Sequence, residues 1–301
     1  MTGKQIKLFL VDGTPGGLTT AEITNWTGHL IAAQRSDLAD MLKRDEAQRT
    51  GAYFLLGEET AVTGPRCYIG EADVIADRMR IHRNDKDKEF WDRVVVITSK
   101  DANFTKAHAR YLESRLIALA KRAGRVTLEN KTAPPLPALP EADASDMDYF
   151  VSQLQIVLPV LGVNAIRVPV STARAPEPVT DTVSPVFRLR NAKGHVDASA
   201  QQIDGEFTVL EGSFIVANWH GVGKAPSTVK QYDYFRAQHE QLLDRGDLVV
   251  EEGRGRLTRN LVFTSPSLAG AIALGRSCNG RREWVTDGGL SFGDWEERGV
   301  E

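Results

Sequence analysis

The sequence has few cysteines and no long apolar run. Its 301 residues include two cysteines, Cys67 and Cys278, and neither belongs to a Cys-x-x-Cys pair. Two cysteines are too few for a disulfide framework or a cysteine-based zinc site. No apolar stretch approaches the roughly 20 residues that span a bilayer, and the N-terminal residues show no small-residue cleavage site. We therefore expect a cytoplasmic protein with no membrane partner.

The chain also lacks a strong excess of charge of either sign, with 37 Lys and Arg against 40 Asp and Glu. The charges are unevenly distributed along it. Residues 49–131 hold 16 basic and 12 acidic side chains, a net charge of +4, whereas residues 141–185 hold 2 and 6, a net charge of −4. A basic segment in an acidic chain favours a local phosphate-binding face. Charge of this size, taken alone, is better explained by a solvated surface.

The length and the proline distribution indicate two domains joined by a linker. Residues 132–140 hold four prolines in nine positions, which excludes a helix or a central strand and predicts an extended spacer. Residues 146–162 place apolar side chains at helical spacing. The expected organisation is an N-terminal hairpin and helix extension over residues 1–48, a first domain over 49–132, a linker with an amphipathic helix over 133–182, and a second α+β domain over 183–301.

Residues 49–132 alternate short strands with helices, which predicts an α/β (α+β) domain. Strands are expected over 51–57, 66–70 and 93–98, and a helix over 74–82. A long helix should begin at its cap Thr105 and end at Gly124, where glycine suits a left-handed C-terminal position. Before this domain, Ser36 is expected to cap a short helix. In the second domain, Ser265 with Pro266 is expected to begin a helix, and Asn279-Gly280 to form a tight turn before a strand.

Six positions within residues 49–132 form a recognisable set. They are Tyr53 in Gly51-Ala-Tyr53, Tyr68 in Tyr68-Ile-Gly70, Arg78 ten residues further on, His82, Glu113 inside the long helix, and Asn130 beyond it. This order and spacing resembles the GIY-YIG nuclease family, in which the middle position of the first tripeptide is permissive. The resemblance implies a small, mainly antiparallel three-stranded sheet flanked by helices.

The resemblance also implies an activity: metal-dependent hydrolysis of phosphodiester bonds by an endonuclease, with DNA favoured over RNA as the partner. Glu113 would hold Mg²⁺, with Mn²⁺ as a substitute, since magnesium prefers oxygen ligands and shares them with a substrate phosphate. Arg78 would stabilise the charge on the pentavalent phosphate through its planar fork. Tyr68 is the expected base for the attacking water, and strand alternation lets Tyr53 meet it across the hairpin.

The remaining positions are expected to assist. His82 either takes part in proton transfer or is structural, and Asn130 is expected to be a hydrogen-bonding residue near the site. Lys106 and His108, at the start of the long helix, are candidate nucleic-acid contacts through phosphate. Glu71 departs from the lysine or small polar residue often found at that point in the family, so an extra carboxylate would alter the phosphate or metal environment.

Plainer interpretations remain open at each position. Glu113 could be a solvated carboxylate paired with Arg110, and Arg78 could belong to a basic, solvated helix face. The two tyrosines could be core aromatics with satisfied hydroxyls. The corresponding alternative function is a non-catalytic nucleic-acid-binding or interaction protein that retains the nuclease fold. The sequence does not indicate an oligomeric state.

The C-terminal part resembles an uncharacterised domain that recurs in bacterial proteins, often behind nuclease domains. The segments that carry this resemblance are residues 206–213, 263–269 and 275–284. An arginine cluster with an aromatic, formed by Arg276, Arg281, Arg282 and Trp284, could contact nucleic acid through phosphates and stacking. A surface hairpin with a core tryptophan is an equally good interpretation.

Overall fold

The computed structural model describes residues 3–57, 65–167, 184–223 and 226–298. The chain divides into two compact units, Met1–Val168 and Pro169–Glu301, each built from strands and helices, so the fold class is α+β with mixed sheets. Of the linker expected over residues 133–182, the part from residue 168 onward lies outside the described ranges. Within those ranges no helix has the length and apolar character needed to cross a membrane.

The first unit contains one wide sheet. Its strands are β1 Ile6–Leu10, β2 Thr19–Ile23, β3 Gly28–Gln34, β4 Gly51–Gly57, β5 Arg66–Ala72, β6 Arg93–Ser99 and β7 Thr127–Leu128. They lie in the order β1-β2-β3-β6-β4-β5-β7, and all neighbours are antiparallel except the parallel pair β5–β7. The sheet is wider than the three strands expected, because β3 pairs with β6 from Gly28 opposite Ser99 to Gln34 opposite Arg93. The expected three, β4, β5 and β6, are adjacent within it.

Four helices cover this sheet. They are α1 Leu38–Met41, α2 Ile75–Asn84, α3 Lys106–Ala123 and α4 Glu141–Val160. The ends of α3 follow the prediction: Thr105 forms a capping box with His108, and Gly124 adopts a left-handed φ of 61°. The capping box satisfies backbone N–H groups that have no partner inside the helix.

Both faces of β4 are buried, and Tyr53 points to only one of them. Phe54 of β4 packs with Leu116 of α3 and Phe150 of α4 on one side. Tyr53 packs with Met79 of α2 on the other side. Because side chains alternate along a strand, Tyr53 faces the helix that carries Arg78 and His82. The helix α4, expected in a linker, contributes its apolar stripe to the same core as the strands.

The second unit contains a separate antiparallel sheet. Its strands are β8 Phe187–Asn191, β9 Val196–Ile203, β10 Glu206–Val209, β11 Phe214–Val216, β12 Leu248–Glu251, β13 Arg254–Leu257 and β14 Leu261–Phe263. The order is β12-β13-β11-β9-β10-β14, and β8 also pairs with β9. The helices are α5 Pro226–Asp244, α6 Pro266–Leu274, α7 Gly280–Glu283 and α8 Phe292–Glu297. Ser265 caps α6 as predicted, accepting from the backbone N–H of Leu268.

Two local predictions are wrong. Ser36 does not cap a helix: it lies in a 3-10 turn before α1, and its hydroxyl bonds the Asp37 carboxylate instead. Asn279 does not open a hairpin turn but caps α7, accepting from the N–H of Arg281. A side chain at Gly280 would overlap the carbonyl of Pro266. Glycine is therefore needed there for close packing at the start of α6.

Candidate active site

The two tyrosines and the histidine form one cluster. In the β4–β5 pairing, Tyr53 lies opposite Gly70 and Leu55 lies opposite Tyr68, so the tyrosines are diagonal neighbours on one face. Their ring centroids are 6.3 Å apart. The ring of His82, from α2, lies 5.5 Å from each of them. The Tyr53 hydroxyl is 2.7 Å from His82 Nε2, a hydrogen bond inside the core.

Gly70 provides the space that Tyr53 occupies. A Cβ atom at Gly70 would lie 2.5 Å from Tyr53 Cζ and closer still to its hydroxyl oxygen. Any side chain at this position would displace the first tyrosine from His82. The glycine of the second tripeptide and the tyrosine of the first are thus one packing unit across the strand pair.

Exposure distinguishes the members of the cluster. Tyr53 is 1% exposed and His82 is 2% exposed, whereas Tyr68 is only partly buried. Tyr68 is therefore the aromatic hydroxyl that a ligand can reach. Burial raises the pKa of Tyr53 and of Tyr68. Burial, followed by the charges of Lys88 and Arg78, lowers the pKa of His82 to about 4, so its ring is neutral near pH 7.

Glu113, on α3, presents a half-buried carboxylate. Burial, and then the neighbouring charge of Glu71, raise its pKa to about 7, although Arg78 and Arg110 act in the opposite direction. Within the described part of the chain this carboxylate forms no hydrogen bond or ion pair. The pairing with Arg110 considered from the sequence is not formed, because the Arg110 Nε lies 3.6 Å from Glu71 Oε1.

Arg78 lies on the exposed side of α2. Its positive charge acts to lower the pKa of Tyr53, Tyr68, His82 and Glu113, so it lies within electrostatic range of all four. Over the residues that the structure describes, its guanidinium has no hydrogen-bond or ion-pair partner. The planar fork is therefore available to an anion beside the cluster.

The side chain of Asn130 holds β5, the strand that carries Tyr68, by hydrogen bonds to the backbone of that strand. Its Nδ2 donates to the carbonyl of Ile69 at 2.7 Å, and its Oδ1 accepts from the N–H of Ile69 at 3.0 Å. Ile69 lies between Tyr68 and Gly70, so this contact fixes the strand segment that carries both. Asn130 therefore fixes the backbone between Tyr68 and Gly70, and its part in a catalytic site remains a prediction.

Lys106 and His108 contact residues outside this cluster. The Lys106 ammonium forms an ion pair with the Asp73 carboxylate. His108 Nδ1 accepts from the Thr105 N–H at 3.0 Å, and its Nε2 is 3.7 Å from Asp143. Five residues along a helix correspond to about 140° of rotation, so His108 does not share a face with Glu113. Their contact with nucleic acid remains a prediction.

One member of the site was not expected from the sequence. Lys88 lies in the 3-10 turn Lys86–Lys88, with its Nζ 3.2 Å from His82 Nδ1. The same Nζ lies 4.1 Å from the centroid of the Tyr68 ring and 3.7 Å from the Asp85 carboxylate. No spacing rule identifies a lysine six residues past the histidine, because the turn leaves α2 and folds back over it.

The carboxylates of this site fit a hard divalent cation. Among the described residues, no three His, Cys, Asp or Glu side chains converge on one point. Over the same part of the chain, Glu113 forms no ion pair, and the Oε2 atom of Glu71 is buried with no hydrogen-bond donor. Magnesium takes oxygen ligands and is often held by one or two protein carboxylates, with water and substrate phosphate completing its shell. One or two carboxylates are what the site offers.

Comparison with known families identifies only the C-terminal part of the chain. Residues 187–296 match a family described as a domain of unknown function (DUF4357). Searches of curated proteins and of solved structures give no match. The second unit therefore contains an uncharacterised domain, consistent with the accessory domain expected there. The comparisons add nothing for residues 49–132, where the nuclease resemblance remains a prediction.

The side chains considered for nucleic-acid contact in this domain are largely engaged. Trp284 is fully buried, and its indole N–H donates to the carbonyl of Pro266 at 3.0 Å. It is a core residue and has no free face for stacking. The Arg276 guanidinium lies 3.3 Å from Glu283, and that of Arg281 lies 3.2 Å from Glu296.

Proposed function

We propose that residues 49–132 form a divalent-metal-dependent endonuclease of the GIY-YIG type, which hydrolyses phosphodiester bonds in DNA in preference to RNA. The three adjacent strands β4, β5 and β6 would be the nuclease sheet, extended by β1–β3. One observation carries the proposal: Tyr53, Tyr68 and His82, from three different elements, share one cluster next to the side chains of Arg78 and Glu113. Neither of these two side chains forms an ion pair among the described residues.

Each side chain has a property that hydrolysis requires. The partly exposed Tyr68, as a phenolate, would take the proton of the water that attacks phosphorus, while the bond to the leaving oxygen breaks. Arg78 would bind the non-bridging oxygens, where negative charge accumulates in the transition state. Tyr53 and His82, both buried, would orient Tyr68 and would not themselves reach the substrate.

Glu113 is the proposed metal ligand, with Glu71 beside it. A bound Mg²⁺, or Mn²⁺ in its place, would supply Lewis-acid stabilisation of the phosphate charge. The carboxylate of Glu113 has no competing partner among the described residues, and the neighbouring Glu71 makes its isolated charge unfavourable. A cation held by Glu113 would offset the repulsion from Glu71.

The test is metal-dependent nicking of supercoiled plasmid by the full chain. Wild-type protein with Mg²⁺ or Mn²⁺ should convert supercoiled to open-circular DNA, and EDTA should stop the reaction. Glu113→Gln should abolish cleavage while retaining the wild-type circular dichroism spectrum. Asp77→Asn is the matched control, since it removes an exposed carboxylate of α2 that is paired with Arg80 on the same helix. This control should cut at the wild-type rate.

The same experiment separates the proposal from its alternative. Folded wild-type protein that binds DNA or RNA without cutting supercoiled, branched or single-stranded substrates would indicate a non-catalytic binding module. Wild-type rates in Glu113→Gln would refute the assignment of the metal ligand.

A further inference from the structure

We propose that Lys88 is a positioning residue for the Tyr68 base, because it selects the tautomer of His82 and thereby directs the Tyr53 hydroxyl proton toward the Tyr68 oxygen. The catalytic meaning of this inference rests on the nuclease function proposed above. The hydrogen-bond arrangement itself does not depend on that function and is measurable in the resting protein.

The first step concerns the His82 ring. A lysine ammonium has three donors and no acceptor. With its Nζ 3.2 Å from His82 Nδ1, Lys88 must donate to that nitrogen, and Nδ1 must be unprotonated. In the neutral ring the proton is then on Nε2. The Asp85 carboxylate, 3.7 Å from the same Nζ, favours the charged form of the lysine that this arrangement requires.

The second step concerns the Tyr53 hydroxyl. His82 Nε2, carrying the proton, donates to the Tyr53 oxygen over the 2.7 Å contact. The hydroxyl proton of Tyr53 is then free to donate elsewhere. The neighbouring hydroxyl on the same face is that of Tyr68, whose ring centroid lies 6.3 Å from that of Tyr53. A hydrogen bond from Tyr53 would lower the pKa of Tyr68 and so favour its phenolate form. The result is a directed series from Lys88 through His82 and Tyr53 to Tyr68.

The opposite tautomer would break this series. If Nδ1 carried the proton, Nε2 would accept from the Tyr53 hydroxyl, and that proton would be committed to His82. Tyr68 would lose its donor inside a site where burial already disfavours the phenolate. The ring nitrogen that Lys88 contacts therefore decides whether the Tyr53 hydroxyl donates to the Tyr68 oxygen or to His82 Nε2. The Lys88 Nζ also lies 4.1 Å from the centroid of the Tyr68 ring. At this distance the ammonium charge makes a favourable cation–π contact with the face of the ring.

The direct test is the ¹⁵N spectrum of the histidine rings in full-length protein near pH 7.5. The chain has six histidines, and a His82→Gln variant assigns the signal. Protonated and unprotonated ring nitrogens resonate in separate regions. Wild-type His82 should show a proton on Nε2 alone. Lys88→Met, which keeps a long side chain over Tyr68 but loses the donors, should give a mixture of tautomers. Lys88→Arg should retain the wild-type pattern.

A matched control and a kinetic readout complete the test. Lys86→Met removes an exposed lysine from the same turn and should leave the His82 spectrum and cleavage unchanged. In cleavage assays, Lys88→Met should lower kcat by at least about tenfold with KM within about twofold, since a base loses its hydrogen-bond support.

The inference is overturned by a wild-type His82 that carries its proton on Nδ1, or by a folded Lys88→Met protein with an unchanged His82 spectrum. It is also overturned if Lys88→Met raises KM and leaves kcat intact, since Lys88 would then be a substrate contact. A protein that cuts no substrate would refute the nuclease proposal, and the ring spectra would still decide the tautomer.

Discussion

The side chains of the candidate site differ in what they can reach. Arg78 is exposed, and Tyr68 and Glu113 are partly exposed, so these three can meet a ligand. Tyr53 and His82 are buried, so any effect of theirs on a ligand would pass through their neighbours. Substitutions in the first group should therefore affect ligand contact directly, and substitutions in the second group should affect it through their neighbours. Comparing equivalent substitutions on one helix separates the effect of side-chain charge from that of side-chain geometry.

The fork of Arg78 should matter more than its charge. Arg78→Lys keeps a positive charge but loses the planar pair of donors, so cleavage should fall more than tenfold, about 1.4 kcal/mol of transition-state stabilisation. Arg80→Lys, on the same helix and paired with Asp77, should have little effect. Single-turnover rates on plasmid measure both. If folded Arg78→Lys cuts at more than a tenth of the wild-type rate, the arginine contributes only its positive charge and the planar pair of donors is not needed.

Glu113 should destabilise the metal-free protein above neutral pH. Its pKa rises in the folded state from an ordinary value of 4.5 to about 7, so the folded protein binds more protons between these values. Unfolding free energy should therefore fall as pH rises from 4.5 to 7. Glu113→Gln should be more stable than wild type by about 1 to 2 kcal/mol at pH 8 in EDTA, after allowing for partial exposure. The two proteins should converge near pH 4.

Urea denaturation at several pH values measures this difference. Added Mg²⁺ should stabilise wild type by mass action and leave Glu113→Gln unaffected. Equal stability of the two proteins at pH 8, with and without metal, would contradict the environment described for this carboxylate.

Much of the site could be predicted from spacing, but its contacts could not. Strand alternation was enough to place Tyr53 and Tyr68 on one face. The partner of His82 was not predictable, because Lys88 reaches it from a turn whose path is set by tertiary packing. The effect of Glu71 on Glu113 depends on how α3 docks against β5, which local periodicity does not encode.

At the scale of paired strands, Gly70 is the position most sensitive to a small change. Gly70→Ala should displace Tyr53 from His82 and cost about 1 to 3 kcal/mol, the usual range for overpacking a filled core. Gly16→Ala is the control, since nothing lies within 4 Å of a Cβ atom at Gly16. Thermal denaturation and the His82 ring spectrum report the two effects. If Gly70→Ala leaves the His82 spectrum and the stability unchanged, β4 and β5 can separate enough to accept the methyl group without displacing Tyr53 from His82, and the prediction is wrong.

The long helices α3 and α4 could be predicted from the sequence, but the elements that they pack against could not. The bounds of α3 followed from Thr105 and Gly124, whose backbone chemistry is local. The helix α4 was expected from its apolar stripe, but a stripe shows only which face is buried. Its burial in the same core as the strands depends on tertiary packing, which the apolar stripe does not encode.

At the scale of the whole chain, residues 1–168 should behave as a complete folding unit and residues 49–132 should not. A fragment that contains only residues 49–132 lacks β3, which pairs with β6 at seven positions from Gly28 to Gln34. It also lacks α4. The shorter fragment should lack cooperative urea unfolding, whereas residues 1–168 should unfold cooperatively and retain metal-dependent cleavage. Circular dichroism and nicking assays measure both. A cooperatively folded 49–132 fragment would contradict this prediction.

The position of β6 has a consequence for how the protein is made. This strand lies between β3 and β4, yet it is synthesised after both. During translation the apolar strands β3, at the end of the β1–β3 meander, and β4, in the β4–β5 hairpin, each have one unpaired edge. These edges stay unpaired until β6, Arg93–Ser99, leaves the ribosome. Pairings that span so many residues form slowly and leave intermediates open to aggregation. We expect nascent chains stalled before residue 93 to recruit chaperones, and those stalled well beyond residue 168 to be released from them.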